Sequence, residues 1–292
     1  MKTHRWFTPW VLTLPALAWL LVFSVWPSIN TLRLSFTDAK PLGGNADFVG
    51  VQNYSDLLHD GDVWNALLNS AVYMAICLPL LTVLPLLLAV LVERKLPFIA
   101  FFRTAFYVPV IASAVVVGLM WTWLLDDRGL INNLAKALHV VTAPVPFLTD
   151  RWLVLISAIS LTVWKGLGYY MIVYLAALGN VRKDLHEAAA IDGAGPVRRF
   201  LTVTVPGVRG TMFLVAVLVS VAALRVFSEL YILTGGKGGP GGKDQSLVML
   251  IQQYAGGFYG NLGYASALSV LLFVVTVVPM AILARLNNRG ES

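Results

Sequence analysis

The chain has 292 residues, of which 58% are hydrophobic and only 12% charged, and its mean hydropathy is +0.76. A soluble domain carries about 25% charged residues, so this composition cannot cover a water-facing surface and argues against a soluble enzyme, a disordered chain or a disulfide-stapled domain. The formal net charge of +6 fits either a nucleic acid or a membrane until the charges are mapped, and the single cysteine, Cys77, lies in an apolar run and reads as a small buried hydrophobe.

A bilayer core about 30 Å thick takes about 20 apolar residues as helix. Six stretches of that kind follow one another, predicting spans over 9–32, 66–92, 104–125, 152–178, 211–233 and 264–284. Pro79 and Pro85 interrupt the second, which neighbouring helices can tolerate. The last begins after a stretch broken by Gly256, Gly257, Gly260 and Gly263. The expected fold class is therefore an all-α integral membrane protein, with 1–292 as one transmembrane domain. The first span follows a basic start, Lys2 and Arg5, as a signal peptide would. Its apolar stretch is too long for one, and Ala16-Leu17-Ala18 comes too early for a cleavage site, so it is expected to remain as a span.

Orientation follows from Lys and Arg in the loops. With the N-terminus inside, twelve of them are cytoplasmic: Lys2, Arg5, Arg94, Lys95, Arg103, Arg182, Lys183, Arg198, Arg199, Arg209, Arg285 and Arg289. Seven lie outside: Arg33, Lys40, Arg128, Lys136, Arg151, Lys237 and Lys243. Asp38, Asp47, Asp56, Asp60 and Asp62 crowd the first outer loop. The basic balance thus reads as topology with both termini cytoplasmic, and not as a nucleic-acid footprint.

Catalytic and metal motifs fail on inspection. His186-Glu187 opens like a zinc-protease helix, but Ala190 stands where the second histidine belongs. The run from Gly235 to Lys243 suggests a phosphate loop, yet Lys237 stands where the first glycine is required and Asp244 where a Ser or Thr would hold magnesium. That run reads as a flexible outer turn. No catalytic residue, metal ligand or cofactor site is expected.

Three charges fall inside spans: Lys165, Arg225 and Glu229. Such charges are costly in a membrane and are functional candidates by default. Arg225 and Glu229, four residues apart on one expected helix, share a face and can pair. Lys165 lies beside Trp164, Gly166, Gly168, Tyr169 and Tyr170. Small residues there permit close helix packing, and the Tyr169 ring suits either a sugar or ordinary packing. Lys165, Tyr169, Arg225 and Glu229 form the candidate substrate path.

The segment 180–210, between spans four and five, is long and mixed in charge. Asp184 to Ala190 reads as a short amphipathic helix ended by Gly193 and Gly195-Pro196, and a second piece, Val197 to Val205, runs into Pro206. Leu185, Ala188, Ala189 and Ile191 are expected to be partly exposed on the cytoplasmic side, as a docking element or as a helix on the lipid surface.

Glu187-Ala188-Ala189-Ala190-Ile191-Asp192-Gly193-Ala194, followed by Phe200 and Pro206, resembles the EAA motif of ABC-importer permeases. Trp164-Lys165-Gly166, Tyr174-Leu175-Ala176-Ala177-Leu178, Phe48-Val49-Gly50-Val51-Gln52-Asn53-Tyr54, Leu233-Thr234-Gly235-Gly236 and Gly263-Tyr264-Ala265-Ser266-Ala267 resemble segments of the carbohydrate branch, importers of the maltose or glycerol-3-phosphate type. The resemblance implies a permease subunit in a bacterial plasma (inner) membrane, working by alternating access on a sugar or related polar solute, or alternatively on glycerol-3-phosphate or a glycerophosphodiester. An ion-coupled carrier is the weaker rival, because the chain shows no internal repeat. The resemblance further implies a cytoplasmic ATPase dimer that alone hydrolyses ATP, an extracytoplasmic substrate-binding protein and a second, different permease, of which this chain looks like the first. Glu187, Ala188, Ala189, Asp192, Gly193 and Ala194 would form a coupling helix docked on the ATPase. The sequence departs from the family pattern at Arg182, where proline is usual, at Ser228-Glu229, where the acid comes one residue late, at the turn enlarged by Lys237 and Lys243, and at Gly210, where a second proline is common.

Overall fold

The computed structural model describes residues 8–44, 46–93, 98–257 and 260–289. Lys2, Arg5, Arg94 and Lys95, counted above for orientation, lie outside the described residues, as do both chain ends. The helices in chain order are α1 (Trp10–Leu34), α2 (Gln52–His59), α3 (Gly61–Glu93), α4 (Ile99–Ile111), α5 (Ala114–Leu125), α6 (Leu130–Ala137), α7 (Arg151–Leu178), α8 (Lys183–Ile191), α9 (Pro196–Gly207), α10 (Arg209–Leu224), α11 (Ser228–Leu233), α12 (Leu247–Ala255) and α13 (Leu262–Arg289). Among the described residues the only β pairing is an isolated bridge between Thr37 and Phe48. In an apolar medium helices satisfy their backbone groups internally, and apolar runs of about 20 residues suit helices.

Among the described residues four helices are long and apolar enough to cross a membrane: α1, α3, α7 and the Leu262–Ile282 part of α13. α1 passes through a wider π turn at Leu21–Val25. α3 starts at Gly61, five residues before the expected boundary, and keeps Pro79 and Pro85 inside it. α7 begins where Asp150 caps it, its carboxylate accepting from the N–H groups of Trp152 (3.0 Å) and Leu153 (3.1 Å).

Two expected spans are not continuous helices. The stretch 104–125 divides into α4 and α5, and α4 makes an angle of 99° with the helical segment that follows it. Pro109 offers no N–H to the preceding turn, and Ala112 and Ser113 then become extended, with ψ of 142° and 131°. The stretch 211–233 divides into α10 and α11, because Arg225 (φ −104°, ψ 18°) and Phe227 (φ −140°, ψ −62°) leave the helical region. The piece expected over Val197–Val205 runs on through Pro206 to Gly207, and a π turn at Phe200–Thr204 widens the helix just before that proline. α9 and α10 together form a bent pair at 72°. With each bent pair taken as one span, the count reaches six.

The chain forms two compact units: 1–63 with 250–273, and 64–249 with 274–292. In the larger, buried Tyr73, Cys77, Leu81 and Leu86 of α3 join Leu155, Ala158, Leu161, Met171 and Tyr174 of α7, Val215, Val219 and Ala223 of α10, and Leu230 and Leu233 of α11 in one core. Tyr73 Oη donates to the Ala158 carbonyl (3.0 Å) and bonds Thr162 Oγ1 (2.5 Å), tying α3 to α7. α4 crosses α7 at Gly168, where a Cβ would fall 1.9 Å from the Phe106 carbonyl oxygen.

In the smaller unit the Phe48–Tyr54 segment acquires a structural purpose. Buried Asn53 donates through Nδ2 to the carbonyls of Ser35 and Thr37, both at 2.9 Å. Tyr54 Oη bonds Ser35 Oγ at 2.7 Å. The N–H groups of Leu262 and Gly263 donate to the Ala39 carbonyl at 2.8 and 3.1 Å, and Tyr264 Oη donates to Asp60 Oδ2 at 2.6 Å. The two family-like segments, around residues 48–54 and 263–267, are therefore both tied to residues 35–39 within this unit.

Two stability predictions follow from the larger unit. Gly168→Val puts methyl groups into the α4 backbone and should abolish accumulation of folded protein in membranes, read by immunoblot of the membrane fraction. Tyr73→Phe removes two buried hydrogen bonds and should lower stability by about 1–3 kcal/mol, read as a fall in the unfolding midpoint in detergent.

Candidate functional site

Two regions collect the residues singled out in the sequence. The first is a cavity of about 250 Å³ in the larger unit, lined by α3, α4, α7, α10 and α11. Lys165 and Tyr169 reach it from α7, and Glu229 from the first turn of α11. The rest of its polar lining is Cys77, Thr162 and Tyr170. Tyr169 and Tyr170 meet edge to face, ring centroids 5.1 Å apart at 79°. Lys165 and Glu229 are half-buried, so each keeps contact with the cavity space.

Arg225 does not line this cavity and lies exposed at the end of α10. The pairing expected of Arg225 and Glu229 on one helix face is corrected by the break between α10 and α11. Residues 225–227 leave the helix, the four-residue spacing no longer sets one side chain above the other, and the structure contains no ion pair between them. Three of the four candidate path residues line one space, and Glu229 is the charge of opposite sign to Lys165 in that lining. Sequence reasoning missed Cys77 and Thr162. Thr162 stands three residues before Lys165, one turn along the same helix face. Cys77 gave no signal beyond its apolar run.

The second region is α8 with the turn after it. Arg182 holds φ at −64°, the value proline would fix, so the departure from the family pattern leaves the backbone unchanged. Its guanidinium grips Asp184 in two hydrogen bonds, the Nε bond measuring 3.1 Å, and holds that exposed carboxyl below its ordinary range. α8 ends in a Schellman turn. The Gly193 N–H donates to the Ala190 carbonyl at 3.1 Å and the Ala194 N–H to that of Ala189 at 2.9 Å. This turn needs Gly193 at φ +75°, and no atom lies within 4 Å of where its Cβ would be.

Glu187, Ala188, Asp192 and Gly193 are exposed, while Ala189 and Ala194 are half-buried. Leu185 is 49% exposed, Ile191 87% and Val197 72%. The expected partial exposure of Leu185, Ala188, Ala189 and Ile191 therefore holds, and Ile191 protrudes furthest. Asp192 caps the C-terminal end of α8, where the helix dipole favours a cation, so a carboxylate there costs about 0.3–1 kcal/mol. Ile191 thus protrudes from the chain, and the Asp192 carboxylate has no hydrogen-bond or ion-pair partner among the described residues.

Residues 54–291 match the family described as "Binding-protein-dependent transport system inner membrane component". The chain is 32% identical to the probable ABC transporter permease protein YurN of Bacillus subtilis (strain 168), over 92% of each chain. It is 30% identical to the lactose transport system permease protein LacF of Rhizobium radiobacter, over 92% of this chain and 90% of that one. Among solved structures, a bacterial ABC transporter involved in import of the acidic polysaccharide alginate superposes with a TM-score of 0.83 at 23% identity, covering 96% of this chain and 95% of that one.

The separation of Arg225 from Glu229 is testable. In a double-mutant cycle of Arg225→Gln and Glu229→Gln on thermal stability in detergent, the two changes should add to within about 0.5 kcal/mol. A coupling above about 1 kcal/mol would restore the pair.

Proposed function

The chain belongs to the family of binding-protein-dependent transport system inner membrane components, and from that premise we propose that it carries a sugar through the membrane by alternating access, with 1–292 acting as one permease domain. It is a multi-pass membrane component of an ABC importer and performs no catalysis. ATP hydrolysis belongs to a separate ATPase, and solute is delivered by a binding protein. The observation that carries the sugar reading is the likeness to the lactose permease across nine tenths of both chains. The cavity agrees with it. Lys165 is balanced there by Glu229, and the tyrosine rings and hydroxyls suit an uncharged polyhydroxylated solute better than a glycerophosphate anion.

Within this reading Lys165, Tyr169 and Glu229 line the substrate path, and Arg225 flanks it at the unwound turn. A second, different permease completes the pathway. Both termini are cytoplasmic, as the Lys and Arg distribution supports, and the segment 180–210 lies on that same side. Glu187, Ala188, Ala189, Asp192, Gly193 and Ala194 then form the contact with the ATPase dimer. The protruding Ile191 and the carboxylate of Asp192 support this, since both gain a partner only outside the chain. Small side chains let a partner surface approach, and closure of the ATPase dimer would move α8 as a lever that rocks the permease pair.

The coupling role is tested with Gly193→Ile in the reconstituted complex. Its side chain meets no clash, but the left-handed backbone costs a β-branched residue about 1–2 kcal/mol and distorts the end of α8. Membrane insertion should persist, while sugar uptake falls about tenfold or more relative to ATP hydrolysis. Cysteines at Ala188 and Ala194 should crosslink to the ATPase. Normal uptake with Gly193→Ile, together with partitioning of those sites into lipid, would overturn the assignment. Orientation is checked with cysteines at Lys2 and Ser292, which an impermeant reagent should not reach in intact cells.

A further inference from the structure

The glycine-rich run from Gly235 to Lys243, extended to residue 246, is seated through one side chain. Asp244 has no solvent exposure, and neither of its carboxylate oxygens accepts a hydrogen bond. The loop closes over it. The Asp244 N–H donates to the Gly238 carbonyl at 2.7 Å, and a Cβ at Gly239 would fall 2.1 Å from Asp244 Oδ2. Asn69 of α3 clamps both sides of the aspartate, donating through Nδ2 to the carbonyls of Lys243 (2.7 Å) and Gln245 (2.9 Å).

Arg151, the first residue of α7, supplies the facing cation. Its Nε stands 4.0 Å from Asp244 Oδ1 and makes no hydrogen bond, while its Nη2 donates to Asn65 Oδ1 at 3.2 Å. Asp150, at the same helix start, adds a negative charge. α3 contributes the neutral Asn65 and Asn69, and the loop's own Lys237 and Lys243 are exposed. A buried carboxylate with one distant cation and no hydrogen bond is far better accommodated neutral than charged. Burial pushes the Asp244 carboxyl up to about 6, against the pull of Arg151 and helped by Asp150.

We propose that Asp244 is a proton-operated latch: protonated, it stays buried and seats the loop 235–246 on the ends of α3 and α7; ionised, it leaves that seat and frees the loop. The sign follows from linkage. A freed carboxyl titrates near its ordinary 3.8 and the seated one near 6, so the seat is firmest below the first value, weakens as pH rises between the two, and is weakest above the second. α11, which carries Glu229 into the cavity, ends at Leu233 and runs directly into this loop. The latch therefore sets how firmly the end of α11 is tied to α3 and α7.

The test uses the full chain in membrane vesicles and needs no transport reading. Ser246→Cys reports a position with no exposure, and Lys243→Cys an exposed reference. N-ethylmaleimide labelling of each is quantified by peptide mass spectrometry, which separates the native Cys77, and the 246-to-243 ratio cancels the intrinsic effect of pH on thiols. The ratio should rise about tenfold between about pH 5 and about pH 7.5. Asp244→Asn, which cannot ionise, should keep it low throughout. Arg151→Gln, removing the cation that favours ionisation, should move the rise to higher pH, and this arm remains decisive if the asparagine variant fails to accumulate. A ratio indifferent to pH, an equal rise in Asp244→Asn, or no displacement of the rise in Arg151→Gln overturns the latch.

Discussion

A chain with few charges must satisfy its own backbone, because the apolar medium around it offers neither donors nor acceptors. Along the expected spans helices meet that demand except at a few interruptions, and the interruptions are where the structure becomes informative. Residues 112–113 and 225–227 are the two places where an expected span opens. The second brings Glu229 to a cavity that Lys165 also lines. Broken helices in membrane proteins occur where they line such a space. Had α10 continued unbroken, Glu229 would have shared a face with Arg225, and the balance of charge in the cavity would be different.

The close approach of helices in the larger unit depends on the same economy. Without water to drive helices together, packing and buried hydrogen bonds must do so. Gly168 lets α4 touch the backbone of α7, and Tyr73 bonds α3 to the same helix two turns nearer its start. α7 is thereby the common wall of the cavity, and the aromatic-rich turn around Lys165 lies on the helix held by most neighbours.

The segment 180–210 follows a different logic. Little in α8 serves the stability of this chain: Ile191 is exposed, Asp192 opposes the helix dipole, and Gly193 meets nothing. What is well built there is the backbone, with Arg182 at a proline's angle, the Arg182–Asp184 grip at the start and a Schellman turn at the end. That well-formed backbone with its exposed side chains is the ground for the proposed contact with the ATPase.

Composition and hydropathy by themselves determined the fold class, because a chain of 292 residues with so few charges belongs in an apolar medium, and apolar runs of about 20 residues suit helices there. The boundaries of α7, the stop at Gly193 and the family were also legible, since caps, glycine turns and the EAA-like segment are local signals. The helices α2, α6 and α12 escaped notice because they are short and lie between the apolar runs. The breaks in 104–125 and 211–233 were hidden, because hydropathy counts apolar residues and is indifferent to the angle at which they turn. Only the tertiary structure decided that Lys165 shares its cavity with Glu229 and not with Arg225, and that Asp244 is buried beside Asn69 and Arg151, each more than 90 positions away. Local sequence fixes where a helix can start and stop; which charges meet depends on backbone dihedrals at two or three residues and on the packing of helices distant in the chain.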